Sequence, residues 1–446
     1  MKKVLLMVLF VSLAVTMFIG CANKKEDNEQ GATITVLTHR TDLADSVLYD
    51  AKLGFEAAYA DYGWTVDFEN ITDYEGDVTT RIGGGAYGDV LMIPNAVEKK
   101  DLSAVFKPLG TIEEVSKDWR GIINGKHDDN MVYGLPTMVN TSGIIYNTEL
   151  FKKAGVQAPK TPEEFIEVMK VLKKDNKDNP DFVAYYTNFG AGWTLDQWTE
   201  GIAAAAGNPE YYPNEFAWDR EAFTTGPAAQ AYGMMYDLVI AGVTEKDPTT
   251  TEWERSKIEL VRGNIGAMVL GGWAIKQLQD IAVGLGYDSS VIGYMPFPYA
   301  DANGVQYATI SPDYSIGIAA NTEFPKAAET FLYWLMEDFD FCAKAGGLIP
   351  SSVKNPYPAI VQSFQDNGVV FFENAAPKVP DALPTAEKMS TMGLWTAAWK
   401  TIYIENAFKV REGQKGLSKA EVGRALQDKW DKGVDAVIEE FGNKPE

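Results

Sequence analysis

Two glycine-rich stretches have the residue types to hold a phosphate. Gly83-Gly84-Gly85-Ala86-Tyr87-Gly88 satisfies the spacing G-x-G-x-x-G. A dinucleotide site needs that spacing after a strand and before a helix, so that the helix N-terminus meets the pyrophosphate. Here the pattern predicts a helix before and a strand after, which makes the glycines a helix-to-strand turn. Gly121-Ile122-Ile123-Asn124-Gly125-Lys126-His127 approaches a phosphate-binding loop. It is one residue short, and His127 stands where Ser or Thr would hold magnesium. No G-x-S-x-G elbow offers a hydrolase serine. Two histidines, His39 and His127, argue against a His-rich metal or acid/base centre. Carboxylates are plentiful, but no glycosidase pair stands out by motif. The sequence therefore assigns no catalytic residue, no metal and no cofactor.

Bulk properties narrow the partners. A net charge of −22 repels phosphate backbones and excludes nucleic acid as an expected partner. The acidity otherwise reads as a solubilising surface. At 446 residues the chain exceeds the size at which one core stops growing, so two lobes are expected.

The first 20 residues read as an export signal. Lys2 and Lys3 precede the apolar stretch 4–19, which is too short to span a bilayer comfortably. Gly20 then precedes Cys21, and 21–31 is a polar tether. This resembles a bacterial lipoprotein signal, which implies lipidation of Cys21 and an extracytoplasmic, membrane-anchored protein. With Cys21 in the leader region, Cys342 has no partner for a disulfide and reads as a buried thiol.

The elements that would position a site follow from periodicity. Residues 33–38 alternate and are rich in β-branched types, which predicts a strand. A helix over 43–62 ending at Gly63, a strand over 65–69, a helix over 74–82 and a buried strand over 89–93 follow. Strands alternating with helices mean an α/β lobe with a mostly parallel sheet. Residues 131–147 read as extended, and Thr148 is expected to cap a short helix closed by Gly155. Thr161-Pro162-Glu163-Glu164 reads as a capping box, as does Ser418-Lys419-Ala420-Glu421. Residues 180–285 are helical with aromatic loops, 291–295 and 307–320 read as strands, and 326–336 as a helix.

Six landmarks then stand in order. They are 81–90 with its Gly-rich turn and Asp89-Val90, Tyr133-Gly134-Leu135-Pro136 with 145–155, and Gly266-Ala267-Met268 followed by Gly271-Gly272-Trp273. After these come 292–298, Pro325-Lys326-Ala327-Ala328, and Leu348-Ile349-Pro350. Together they resemble family 1 extracellular solute-binding proteins, the maltose-binding-protein-like receptors of ABC importers, over residues 33–435. The resemblance implies two discontinuous α/β lobes joined by a hinge, 32–139 plus 312–355 and 140–311 plus 356–446. The ligand would lie in the cleft between them, and closure would present both lobes to a membrane permease. It implies a sugar cargo, an oligosaccharide, with a monomeric receptor and no bond chemistry.

A sugar offers apolar C–H faces to flat aromatics and hydroxyls to Asp, Asn, Arg and Glu. Trp273 matches the family's stacking position, Trp395 resembles a second, and Trp193 falls in a cleft-facing loop. The polar candidates are His39, Arg40 and Asp42 after the first strand, Asn95 after the third, Asn140 at the lobe crossing, and Asp313. Strand C-termini in open α/β sheets are where ligands bind. The family often has an acidic residue where Asn140 stands, so that contact is recast here. Arg40 and Asp42 could instead pair with each other. A polyamine, a glycerol phosphate or a peptide remains an alternative cargo, and a glycosidase a more distant one.

Overall fold

The structure, a computed structural model, describes residues 29–445. The leader, Cys21 and the tether up to residue 28 lie outside the described residues. Among the described residues no helix is long and apolar enough to cross a membrane.

The strands that position the site are β1 (Thr33–Thr38), β2 (Thr65–Asn70), β3 (Val90–Met92), β4 (Leu135–Pro136), β5 (Val139–Asn147), β6 (Val183–Tyr185), β7 (Ile265–Gly271), β8 (Ile292–Met295), β9 (Tyr307–Pro312), β10 (Ser315–Ile318) and β11 (Val370–Phe372). The first sheet runs β2-β1-β3-β10-β4, parallel through β2, β1 and β3 and antiparallel where β10 joins. The second runs β11-β9-β5-β7-β6, with β8 also paired to β5. Each sheet has its own core. Val36, Phe55, Val90, Ile316 and Phe331 pack under the first. Phe165, Trp198, Tyr232 and Trp430 pack on one side of the second, and Ile145, Met268, Leu278 and Phe364 on the other. This is a two-lobed α/β architecture. Burial of β-branched and aromatic side chains on both faces is what lets these strands read as continuous apolar runs.

The chain passes between the sheets three times: from β4 to β5, from β9 to β10, and near Ile349, whose backbone N–H donates to Val139. The extended run 307–320 is therefore two strands in two sheets, broken at Asp313 and Tyr314. Both halves carry strand-forming residues, so periodicity could not reveal the change of sheet.

Other local expectations need revision. The helix expected over 43–62 is Val47–Ala58, flanked by 3-10 turns at Thr41–Leu43 and Ala60–Tyr62. Asn147, not Thr148, caps the helix Thr148–Ala154, its side chain accepting from the Leu150 N–H. Asn147 still has the extended backbone that a cap needs, whereas Thr148 is already helical and donates its hydroxyl to the Ser290 carbonyl. Thr161 caps Pro162–Asp175. The Glu164 carboxylate takes the Lys160 N–H instead of closing the box. Ser418 and Glu421 form the full reciprocal box. The glycines at 83–85 end a helix: Gly85 takes φ 75°, a left-handed conformation open to glycine at little cost. Cys342 is buried, and burial pushes its thiol up to about 12.

Candidate ligand-binding cleft

The crossing strands define a front and a back. Side chains alternate along a strand, and directly opposed residues of an antiparallel pair share a side. Thr309 and Ser311 of β9 therefore face one way and Ile310 and Pro312 the other. The register Ser311↔Asn140 puts Asn140 on the first side, and Pro312↔Val139 puts Val139 on the second. Gly271, opposed to Ser142, shares the side of Asn140. A Cβ on Gly271 would run into the Trp273 indole and the Gln197 amide, so both lie on this front side. The Thr309 hydroxyl donates to Glu200 there, at 2.7 Å.

The first lobe brings its strand ends to the same place. The C-termini of β1 and β3 and the N-terminus of β10 converge, as the antiparallel pairing of β10 with β3 requires. Asn140 Nδ2 donates to Asp313 at 3.3 Å. The Tyr314 hydroxyl donates to Glu75 at 2.7 Å and receives Asn95 Nδ2 at 3.1 Å. The Asn95 backbone N–H also reaches Glu75, at 2.9 Å. Burial and the adjoining Glu75 carboxylate push the Tyr314 phenol up to about 12. The His39 ring lies 4.3 Å from that of Tyr314. Its Nδ1 is buried without a hydrogen-bond partner, and burial, aided by Arg40, lowers its pKa. Arg40 and Asp42 form a two-pronged pair at 2.8 Å, which holds the Asp42 carboxyl below its usual range.

The second lobe supplies the aromatics. Trp193, Trp253 and Trp273 form a triangle with ring centroids 5.3, 5.8 and 6.0 Å apart. Trp193 and Trp273 remain 40% and 37% exposed, an unusual cost for large rings unless something covers them. Gln197 and Glu200 lie three residues apart, near the end of the 3-10 helix Trp193–Thr199 and at the start of the helix Glu200–Ala206, so they share a face. Burial pushes the Glu200 carboxyl up, and the Thr309 hydroxyl pulls it back.

Two buried ionisable groups hold this wall. Glu245 accepts the Thr187 N–H at 3.1 Å and the Thr187 hydroxyl, fixing the end of β6 from which the Trp193 loop departs. Burial raises the Glu245 carboxyl to about 7, with the Thr187 bonds opposing. Thr251 takes the Gly190 N–H at 2.6 Å, further along the same loop. Lys400 donates to Asp196 at 3.1 Å and to the Leu394 carbonyl at 2.5 Å, and burial lowers it to about 8. Leu394 precedes Trp395, which is 52% exposed and lies beside the Tyr212 hydroxyl.

Of the nine candidates from sequence, His39, Asn95, Asn140 and Asp313 meet around Tyr314, and Trp193 and Trp273 meet in the triangle. Arg40 and Asp42 adjoin the first group but satisfy each other. Trp395 stands apart, on a turn that reaches the Trp193 loop where Ala397 approaches Gly192. Sequence reading passed over Trp253, Gln197, Glu200 and Glu75. Their three-residue spacing just past Trp193 could have found Gln197 and Glu200. Glu75 lies in the first turn of the helix Tyr74–Gly84, five residues past the end of β2. Trp253 had no signal, because only the fold brings it to Trp193.

Residues 40–338 match the family model described as bacterial extracellular solute-binding protein. The chain belongs to that family. This solute-binding protein is similar over most of its length to two solved proteins of Bifidobacterium animalis subsp. lactis. One is BlMnBP1, a binding protein of an ABC transporter in complex with mannobiose. It is 30% identical, with 92% of this chain and 97% of that one covered and a TM-score of 0.68. The other is BlMnBP2, a manno-oligosaccharide specific solute-binding protein in complex with mannotriose, also 30% identical, with 92% and 96% covered and a TM-score of 0.67. Among curated relatives, the melibiose/raffinose/stachyose-binding protein MelE of Bacillus subtilis is 22% identical over 197 residues. That match covers 41% of this chain and 46% of MelE, less than half of the relative's length.

Proposed function

We propose that this solute-binding protein captures an oligosaccharide between its lobes and delivers it to the permease of an ABC importer, without bond chemistry. The carrying observation is the exposed tryptophan triangle beside a row of hydroxyl-binding groups on the front of the crossing strands. Aromatic faces suit pyranose C–H faces, and Glu200, Asp313, Asn140 and Asn95 suit hydroxyls. The two mannose-oligosaccharide receptors at 30% identity favour that class. In this reading His39, Asn95, Asp313 and Glu75 receive the sugar from one lobe, and Asn140, Trp193, Trp273, Gln197 and Glu200 from the other. Trp395 extends the platform, and Arg40 and Asp42 border it. The lobes are 32–139 plus 312–355 and 140–311 plus 356–446. The receptor works as a monomer held on the extracytoplasmic face of the cell membrane by lipid on Cys21.

A thermal-shift screen with mannobiose, mannotriose, raffinose, melibiose, spermidine and glycerol 3-phosphate tests the assignment. A sugar at 100 times its Kd adds about 2.7 kcal/mol of stability. A shift with spermidine alone would replace the sugar with a cationic cargo held by Glu75, Glu200 and Asp313. Glu200→Gln is expected to weaken sugar binding about tenfold, ~1.4 kcal/mol, because a hydroxyl loses a charged acceptor. Calorimetric titration checks it, and an unchanged Kd would remove Glu200 from the contact set.

A further inference from the structure

The stretch 121–127, which falls one residue short of a phosphate-binding loop, is occupied in another way. Its backbone N–H groups cradle a carboxylate from the other lobe. Glu373, just beyond β11, accepts the Gly121 N–H at 2.7 Å and the Ile123 N–H at 3.1 Å. Asn124 Nδ2 adds a bond to the Asn374 carbonyl at 2.9 Å. Gly121 has φ 79°, the left-handed conformation that turns successive amides toward one point. Arg120 locks the approach by donating to the Pro350 and Ser352 carbonyls at 2.8 and 2.7 Å.

The position of this contact gives it a consequence. A Cβ at Gly121 would meet Val139 and Pro312 at 3.1 and 3.4 Å. Those two residues face the back of the crossing strands, opposite Asn140, Ser311 and the tryptophans. Surfaces behind a hinge separate when the cleft in front closes. Trp193 and Trp273, on the front, stay uncovered while the contact behind is made.

We propose that the seat of Glu373 on the 121–124 backbone is a strut between the lobes that favours the open receptor and sets its affinity from behind the cleft. Glu373 touches no ligand in this assignment. The affinity part rests on the sugar-receptor reading; the hinge part does not.

Small-angle scattering of the full chain without sugar, for the wild type, Glu373→Ala and Asn124→Ala, tests the hinge. Both variants are expected to be more compact than the wild type. Titration with mannotriose is expected to give about a tenfold lower Kd for Glu373→Ala, because a smaller open population raises the binding-competent fraction. A smaller shift in the same direction is expected for Asn124→Ala. Unchanged scattering in both variants overturns the strut, as does weaker mannotriose binding with a lowered melting temperature, which marks a structural brace. Compaction with no mannotriose binding by any form keeps the strut and removes the mannose-oligosaccharide assignment.

Discussion

Replacing Trp273 with alanine is expected to raise the Kd for mannotriose about 100-fold, ~2.7 kcal/mol. The indole lies on the front of the crossing strands and forms two sides of the tryptophan triangle, against Trp193 at 5.8 Å and Trp253 at 6.0 Å. Its removal takes away a stacking face and loosens the other two rings. The ring is 37% exposed, so its loss costs the fold little. Binding and stability should therefore part company: calorimetry records the weaker binding while the melting temperature stays near that of the wild type. A Kd within twofold of the wild type would take Trp273 out of the site. Trp273→Phe should recover part of the affinity, since a smaller flat face remains.

The second large effect is on stability against pH, through Glu245. Its folded pKa of about 7 lies above the ordinary 4.5 because the carboxyl is buried. Between those values the folded chain holds a proton that the unfolded chain has lost. The contribution is thus fully present below about pH 4.5 and is lost as pH rises through 7. A shift of this size corresponds to about 3 kcal/mol. Glu245→Gln keeps an acceptor for Thr187 but cannot ionise. The stability difference between wild type and variant, measured by urea unfolding from pH 4.5 to 8, should move by about that amount in favour of the variant as pH rises. Taking the difference cancels carboxylates that shift the other way, such as Asp42 and Asp301. A flat difference would mean that the Glu245 carboxyl titrates as an ordinary exposed one.

Glu245 also links stability to the site, because Thr187 stands at the root of the loop that carries Trp193. The buried Lys400 does the same for the turn before Trp395, through the Leu394 carbonyl. Both groups are far less conspicuous in sequence than the tryptophans they hold.

The amino-acid sequence by itself determined the class of the fold and pointed to many of the side chains that the structure gathers beside the crossing strands. Strand and helix periods, cap residues and six ordered landmarks marked an α/β receptor, because each of these signals is carried by a short local stretch of the chain. His39, Asn95 and Asp313 were legible because strand ends near a sheet crossing are marked locally by the end of an apolar run. Tertiary structure alone decided what depends on residues distant in the chain. It split 307–320 between two sheets, since the pairing partners of β9 and β10 and not their composition choose the sheet. It brought Trp253 to Trp193 across 59 intervening positions of helix, strand-free loop and turn. It also filled the backbone cradle at 121–124 with Glu373, about 250 residues away. A carboxylate's partner is set by where the fold buries it, and no local pattern in the chain encodes that distance.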